Sequence, residues 1–255
     1  EAKRMEYARI LYEKRQRKGI TMEDALDCMM NRDYFGAMMV ETGEADAFIS
    51  GFSRKYSDTI RPALHVIGVK PEYNRIAGMY IMIMKSGPLF LADTTVNIQP
   101  DAQGLVDIAL LTAAEIRKFN IEPVMAFASF DNFGSYNGPG NHGEVRKAVK
   151  ILHESHPGLK VDGEMQANYI FNRELRKKKF PFSKLNDLDV NTIIFPDLTS
   201  GNILYKSLQE LGAAYAIGPI LMGMKKPVHI LQMESSVREI VNMAAIAVVD
   251  AQKNR

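Results

Sequence analysis

Apolar residues recur along this chain at two different spacings, and the changes of spacing predict a succession of helices and short strands. The clearest helix is predicted from Asp101 to Phe119, where apolar side chains recur every three or four residues after Pro100. Strands are predicted at 45–50, 75–84, 89–92, 123–128, 192–195, 215–221 and 227–231. Helices that alternate with strands favour an α/β fold with a mostly parallel sheet covered by helices.

The segment from Arg4 to Met39 is rich in Lys, Arg, Glu and Met and has helical spacing, which predicts two or three helices. Thr21 and Asp24 stand at capping-box spacing, so we expect one of these helices to begin there. The chain starts at Glu1, within this charged helical stretch. We therefore expect the sequence to be a piece of a longer polypeptide.

Composition narrows the class of protein. The 255 residues are 46% hydrophobic, which is enough for one large domain or two small lobes. A formal net charge of +2 gives no overall attraction to nucleic acid, and no apolar run approaches the roughly 20 residues that span a bilayer. The single cysteine, Cys28, excludes an internal disulfide framework and favours the cytoplasm. We expect neither nucleic acid nor a membrane as a partner.

Common cofactor motifs do not occur in the sequence. The glycines form neither a phosphate loop of the GxxxxGK[ST] type nor a GxGxxG turn after a strand, and the histidines lack zinc-ligand spacing. We therefore expect no metal and no nucleotide cofactor within these residues.

Glycine and hydroxyl residues gather where predicted strands end. Such segments are 50–61, with Ser57, Thr59 and Arg61; 129–135, with Ser129, Asn132, Gly134 and Ser135; 195–202; and 216–219, with Gly218 and Pro219. Glycine amides, hydroxyl groups and a guanidinium are the donors that a phosphate or an acyl oxygen needs. Each segment is also compatible with an ordinary turn between a strand and a helix, and both interpretations stay open.

The segment from Leu231 to Val241 follows a predicted strand and leads into a predicted helix. In open α/β sheets, ligands bind at such turns, at the carboxyl ends of strands. Ser236 and Glu239 also have the spacing of a capping box, which would occupy Glu239 at the helix start. A chemical role and a purely structural role for Glu239 are both open at this point.

Taken together and in order, these segments resemble the phosphate acetyltransferase and phosphate butyryltransferase family over most of the chain, from about Gly43 to Val249. The matching segments are 45–51, 59–64, 93–100, 162–166, 195–206 and 217–220. The resemblance implies a two-lobed α/β/α sandwich, similar to isocitrate and isopropylmalate dehydrogenases. Residues 1–71 and 219–255 would form one lobe and residues 72–218 the other, with an active-site-like cleft between them. It also implies a homodimer or a larger homo-oligomer.

Members of this family move an acyl group between coenzyme A and phosphate. The resemblance assigns their catalytic serine, arginine and acid to the positions of Gln232, Met233 and Glu239. Methionine carries no charge, and the loss of one preorganised donor costs roughly 2.7 to 4 kcal/mol of barrier. Acyl transfer is therefore expected to be lost, although Glu239 keeps a carboxylate. The resemblance assigns acetyl-CoA and phosphate binding to Ser57, Thr59, Arg61, Ser129, Asn132, Gly134, Ser135, Gly218 and Pro219.

The sequence from Asn132 to Ser135 is most similar to the phosphotransacetylase-like C-terminal domain of bacterial hybrid NADP-dependent malic enzymes. In those enzymes the parts that bind malate, NADP and a divalent cation lie upstream, and this domain supports assembly and senses acetyl-CoA. The resemblance thus implies a regulatory and oligomerisation domain that binds acetyl-CoA. Two alternatives stay open: a working phosphate acetyl- or butyryltransferase in which Glu239 is the base, and a dimerisation scaffold without a ligand.

Overall fold

The computed structural model describes residues 1–138, 142–233 and 235–253. The helices are α1 (Ala2–Arg15), α2 (Met22–Cys28), α3 (Arg32–Glu41), α4 (Tyr56–Val66), α5 (Ala102–Lys118), α6 (His142–Ser155), α7 (Ala167–Phe171), α8 (Arg173–Lys179), α9 (Leu198–Glu210) and α10 (Val237–Lys253). The strands are β1 (Phe48–Ser50), β2 (Ala77–Met84), β3 (Gly87–Ala92), β4 (Val124–Ala128), β5 (Lys160–Met165), β6 (Thr192–Ile194), β7 (Tyr215–Met222) and β8 (Val228–Ile230).

The chain divides into two compact units, of which unit 1 comprises Glu1–Asn74 with Gly223–Arg255 and unit 2 comprises Arg75–Met222. These divisions lie a few residues beyond the expected junctions at 71 and 218. The second division is later because β7 continues to Met222, which pairs with Ala77 at the start of β2. Gly218 and Pro219 consequently both belong to unit 2.

In unit 1, β1 and β8 form a parallel pair in which Ile49 lies opposite His229. His229 and Asp250 are buried, and a 2.8 Å hydrogen bond between Nε2 and Oδ2 attaches α10 to β8. Thr21 and Asp24 form the expected capping box at the start of α2, so that prediction is confirmed. Strand pairing between β1 and β8 thus joins the two chain segments of unit 1, and a buried polar contact holds α10 on β8.

In unit 2, the strands form one sheet in the order β5-β4-β6-β3-β2-β7. The strands β5, β4, β6 and β3 pair in parallel, whereas β2 runs antiparallel to both its neighbours, β3 and β7. Helices α5 and α9 pack against this sheet. The predicted α/β class is confirmed, and so is the mostly parallel sheet.

The strand β5 is absent from the predicted elements because its sequence interrupts the apolar run with Asp162 and Glu164. Both carboxylates are buried. Asp162 is satisfied by the hydroxyl of Ser183 and the amide of Lys184, each at 2.8 Å from Oδ2. A buried carboxylate needs such donors, and they come from a loop that the local pattern does not reveal.

The turn that follows β3 is built around Asp93, which is 2% exposed. Its carboxylate accepts hydrogen bonds from the amides of Gly78 (3.1 Å), Thr95 (2.8 Å), Val96 (3.1 Å) and Asn97 (2.8 Å). The side-chain amide of Asn97 adds a further bond to Oδ2. One carboxylate thus joins the start of β2 to the turn at the end of β3.

We predict that Asp93→Asn lowers the free energy of unfolding by about 2 kcal/mol, because an amide presents one acceptor oxygen to donors that now share two. Urea titration followed by circular dichroism measures this loss. Asp189→Asn is the matched control, since the side chain of Asp189 is 90% exposed. Equal urea midpoints for the two variants would contradict the role given to Asp93.

Candidate functional site

A cavity of about 640 Å³ lies in unit 1, beside the loop after β1 and the first turns of α4. Its charged lining consists of three cations, Arg54, Lys55 and Arg61, and one carboxylate, Asp58. The remaining lining residues are Asn31, Tyr34, Ser53, Pro62 and Met233. We call it the basic cavity. The excess of positive charge favours an anionic ligand.

The loop that carries two of these cations is held by Asp33 in the first turn of α3. Asp33 is 1% exposed, and its Oδ1 accepts a 2.7 Å hydrogen bond from the hydroxyl of Ser50. Its Oδ2 lies 3.2 Å from Nη1 of Arg54. This carboxylate therefore fixes the end of β1 and partly neutralises Arg54. Sequence reasoning missed Asp33, because its partners lie far along the chain and form no local motif.

Ser57, Thr59 and Arg61 were expected near the end of a polar loop, but α4 already begins at Tyr56 and includes all three. Residues four apart share one face of a helix, so Ser57 and Arg61 point to the same side while Thr59 points elsewhere. Thr59 is fully buried, whereas Ser57 and Arg61 are exposed. Of these three residues, Arg61 is the one that lines the basic cavity. The other two stay predictions without a place at its wall.

Met233 lines the same cavity as Arg61, and its side chain is 59% exposed. The preceding residue, Gln232, is half-buried, and its backbone amide donates a 3.1 Å hydrogen bond to Oγ of Ser235. The structure therefore brings the residue expected to replace a catalytic arginine next to the arginine expected to bind phosphate. A methionine at this wall supplies apolar surface and no charge.

Glu239 forms the capping box predicted for the start of α10. Its Oε2 accepts a 2.5 Å hydrogen bond from the amide of Ser236, whose hydroxyl in turn accepts a 3.3 Å bond from the amide of Glu239. The structural interpretation of this residue is thus confirmed. Glu239 is not part of the lining of the basic cavity.

A tyrosine and a histidine that sequence reasoning did not select lie beside the basic cavity. The hydroxyl oxygen of Tyr34 is 2.7 Å from Nδ1 of His65. Burial raises the pKa of Tyr34 to about 12. Burial also lowers the pKa of His65 below its ordinary value, and the charges of Arg15 and Arg61 lower it further. Near neutral pH, Tyr34 therefore keeps its proton and His65 is uncharged, so this pair adds no charge to the cavity wall.

In unit 2, Gly134 was expected to donate its amide to a ligand phosphate. In the structure this amide donates a 2.8 Å hydrogen bond to Oε1 of Glu164, which is fully buried. Nε of Arg146 donates to the same oxygen at 3.1 Å. A carboxylate of the protein thus occupies the donor that the sequence pattern offered to a ligand.

The other polar groups of this loop also bond within unit 2. The hydroxyl of Ser129 donates to Oδ1 of Asp131. Oδ1 of Asn132 accepts a 2.9 Å hydrogen bond from the amide of Gln166, and Oγ of Ser135 accepts a 3.1 Å bond from the amide of Asn132. These contacts are typical of a stable turn. Ligand binding by Ser129, Asn132 and Ser135 stays a prediction.

Gly218 and Pro219 lie inside β7 and are buried, so they do not form a turn between a strand and a helix. The backbone of Gly218 has φ +152°, and a Cβ there would lie 2.7 Å from Cδ1 of Tyr80. The ring of Tyr80 stacks on that of Tyr205 at 4.0 Å between centroids. Glycine at position 218 is therefore required by packing against Tyr80. Its predicted ligand role is untested.

The residues of the described segments include no group of three or more His, Cys, Asp or Glu side chains placed to hold a metal ion. Within the same segments, every helix is too short or too polar to cross a bilayer.

Comparison with known proteins agrees with the family indicated by the sequence. The family described as "Phosphate acetyl/butaryl transferase" matches residues 1–248. A phosphate acetyltransferase of Clostridium acetobutylicum is 37% identical over 254 residues, which are 97% of this chain and 76% of that protein. An NADP-dependent malic enzyme of Escherichia coli is 37% identical over 239 residues, which are 93% of this chain and 31% of that protein. The chain thus spans about a third of the malic enzyme it matches.

Two solved structures support the same assignment. A phosphotransacetylase from Streptococcus pyogenes superposes with a TM-score of 0.90 and 39% identity, over 97% of this chain and 76% of that one. The EutD phosphotransacetylase from Staphylococcus aureus gives a TM-score of 0.86 and 34% identity, over 96% of this chain and 75% of that one. Because the family match extends over nearly the whole sequence, this chain belongs to the phosphate acetyl/butaryl transferase family.

Proposed function

We propose that this chain binds an acyl-CoA thioester and phosphate but has lost most of its acyl-transfer activity, and that it serves as a ligand-sensing domain of a larger malic enzyme. The observation that carries the proposal is that Met233 and Arg61 line the same cavity. The cavity keeps the cations that attract an anion, while the position assigned to the catalytic arginine is uncharged.

Anion binding rests on the cations of the basic cavity. Arg61 is exposed there, and its guanidinium makes no hydrogen bond or ion pair with residues 1–138, 142–233 or 235–253. Its planar guanidinium is therefore available for two parallel hydrogen bonds to phosphate oxygens. Lys55 adds a second positive charge to the cavity. Arg54 contributes less, because Asp33 partly neutralises it. Phosphate and the phosphates of coenzyme A both match this chemistry.

Acyl transfer needs two further groups, a cation that stabilises the developing oxyanion and a base that accepts the thiol proton. Met233 cannot supply the first. Glu239 is the candidate for the base, but its carboxylate accepts a hydrogen bond from the amide of Ser236. It would have to leave the capping box to act as a base. The loss of one electrostatic donor alone costs roughly 2.7 to 4 kcal/mol of barrier.

The proposed sensing role is supported by the match to a malic enzyme of which this chain covers 31%. In such a protein the rest of the polypeptide would hold malate, NADP and a divalent cation. Acetyl-CoA would alter that activity if it bound one arrangement of the subunits more tightly than another. Homo-oligomerisation in a cytoplasmic enzyme is part of this proposal.

The alternative is a working phosphate acetyl- or butyryltransferase. Its support is the close match to acetyltransferases, of which this chain covers 76% in the Clostridium acetobutylicum protein. In that case Arg61 would neutralise the phosphate alone and Glu239 would be the base. A rate measurement separates the two functions.

We predict that the wild-type chain releases no thiol from acetyl-CoA above background when phosphate is added. Gln232→Ser with Met233→Arg should give a phosphate-dependent rate at least about 100-fold above that background, because a charged donor returns to the cavity wall. Gln232→Asn with Met233→Leu is the control and should remain at the wild-type level. A clear phosphate-dependent rate in the wild-type chain, lost in Arg61→Glu, would establish the alternative.

Charge reversal at the basic cavity tests binding separately from turnover. Arg61→Glu should weaken acetyl-CoA and phosphate binding at least about tenfold in isothermal titration calorimetry, because an attractive charge becomes repulsive. Arg4→Glu makes the same change on the exposed surface of α1, outside the cavity, and should leave both affinities intact. A purely structural scaffold would instead show no binding in the wild type, in Arg61→Glu or in Arg4→Glu.

Two substitutions at Glu239 separate a cap from a base. Glu239→Gln keeps an acceptor for the amide of Ser236 and should leave the free energy of unfolding nearly unchanged. Glu239→Ala removes it and should cost about 1 kcal/mol, measured by urea unfolding. If Glu239 were the base of an active transferase, the glutamine variant would be as inactive as the alanine variant despite its intact stability.

A further inference from the structure

A second cavity, of about 740 Å³, is lined by residues of unit 2 alone, and its lining includes none of the residues assigned to acyl transfer. Its walls are mainly aliphatic and include Met84, Leu89, Ile170, Leu188, Leu204 and Leu208. We call it the apolar cavity. A cavity of this size and lining is typical of a small-molecule site, in which a few polar groups orient a largely apolar ligand.

One wall of the apolar cavity contains Arg176, a cation that is only 1% exposed. Its two terminal nitrogens donate to four carbonyl oxygens: those of Tyr169 and Ile170, both at 2.9 Å, Leu185 at 2.7 Å and Leu188 at 2.8 Å. Carbonyls satisfy the donors but do not cancel the charge. Burial lowers the pKa of Arg176, yet a guanidinium stays protonated in proteins.

The charge of Arg176 is attracted by the carboxylates of Asp189 and Asp162 only from beyond ion-pair distance. No carboxylate within the described parts of the chain forms an ion pair with it, and its Nε–H, the fifth donor of the group, has no acceptor there. The four carbonyl contacts account for the position of the side chain. They leave a buried positive charge beside an apolar space, which an anion entering that space would neutralise.

Arg173 lines the same cavity from the start of α8, and its side chain is 45% exposed. Arg173 forms ion pairs with Asp189 at 3.7 Å and with Glu174 at 3.9 Å, and both distances are too long for a hydrogen bond. The side chain of Asp189 is 90% exposed and so remains hydrated. Ion pairs to such exposed partners are weak, so within the described parts of the chain the guanidinium of Arg173 keeps its hydrogen-bond donors for a ligand at the cavity mouth.

We propose that the apolar cavity binds an aliphatic monocarboxylate, with its carboxylate on Arg173 and its hydrocarbon chain against the aliphatic walls. The planar guanidinium matches a carboxylate in two parallel hydrogen bonds. The buried positive charge of Arg176, in the lining of the same cavity, adds to the attraction. Beyond Arg173 and Arg176 the described residues of the lining include no further cation, and their one carboxylate, Asp189, would repel a second negative charge, so dicarboxylates and nucleotides fit this cavity poorly.

Calorimetric titration of the purified chain with butanoate, hexanoate and octanoate tests the proposal. Octanoate should bind saturably, and each two-carbon shortening should weaken binding roughly tenfold, because two buried methylene groups are lost. Octanamide has the same chain without the charge and should bind at least about tenfold more weakly than octanoate. Equal binding of the amide, or no saturable binding of octanoate at millimolar concentration, would overturn the proposal.

Three variants locate the site. Arg173→Gln should weaken octanoate binding at least about tenfold, whereas Lys179→Gln removes a charge from the same helix, outside the cavity lining, and should have no effect. Arg61→Glu should leave octanoate binding unchanged. If Arg61→Glu abolished it, the carboxylate would be bound in the basic cavity and the proposal would be wrong, and so it would be if Arg173→Gln bound like the wild type.

Discussion

A charged side chain that leaves water needs hydrogen-bond partners inside the protein, and the loops of this chain depend on that requirement. Asp33, Asp93, Asp162 and Glu164 are all buried, and each accepts hydrogen bonds from its surroundings. Because several of the donors come from distant segments, the carboxylates decide where loops end and which side chains reach a cavity. In unit 1, Asp33 positions Arg54 in this way, while the guanidinium of Arg61 has no hydrogen-bond partner among the described residues.

The same requirement separates two kinds of glycine- and hydroxyl-rich loop that look alike in sequence. The loop after β4 has a potential donor in the amide of Gly134, but that amide already donates a hydrogen bond to Glu164. The residues after β1 instead lead into a helix whose exposed face carries Arg61. Anion binding is therefore better supported in unit 1 than in the loop of unit 2. Arg176 presents the opposite case, because four of its five N–H groups donate to neutral carbonyls and no carboxylate in the described parts of the chain forms an ion pair with it.

Prediction from the sequence succeeded where local spacing decides the structure. The helix α5, the apolar strands and both capping boxes have periodic or short-range patterns, and all of them are present. It failed at β5, where Asp162 and Glu164 break the apolar run, and at the start of α4, where a polar segment is helical. It also missed Tyr34 and Arg176, because their importance arises from burial and from distant neighbours.

The sequence by itself determined the family, the α/β class and the absence of a charged side chain at position 233, because these depend on residue identity and on spacing along the chain. Only the tertiary structure decided that Met233 and Arg61 share a cavity, that Glu239 is held in a cap and that Gly218 packs against Tyr80. Such contacts join segments that are distant in the chain or depend on backbone geometry. Their outcome follows from packing and from the pairing of buried polar groups, which no single segment specifies.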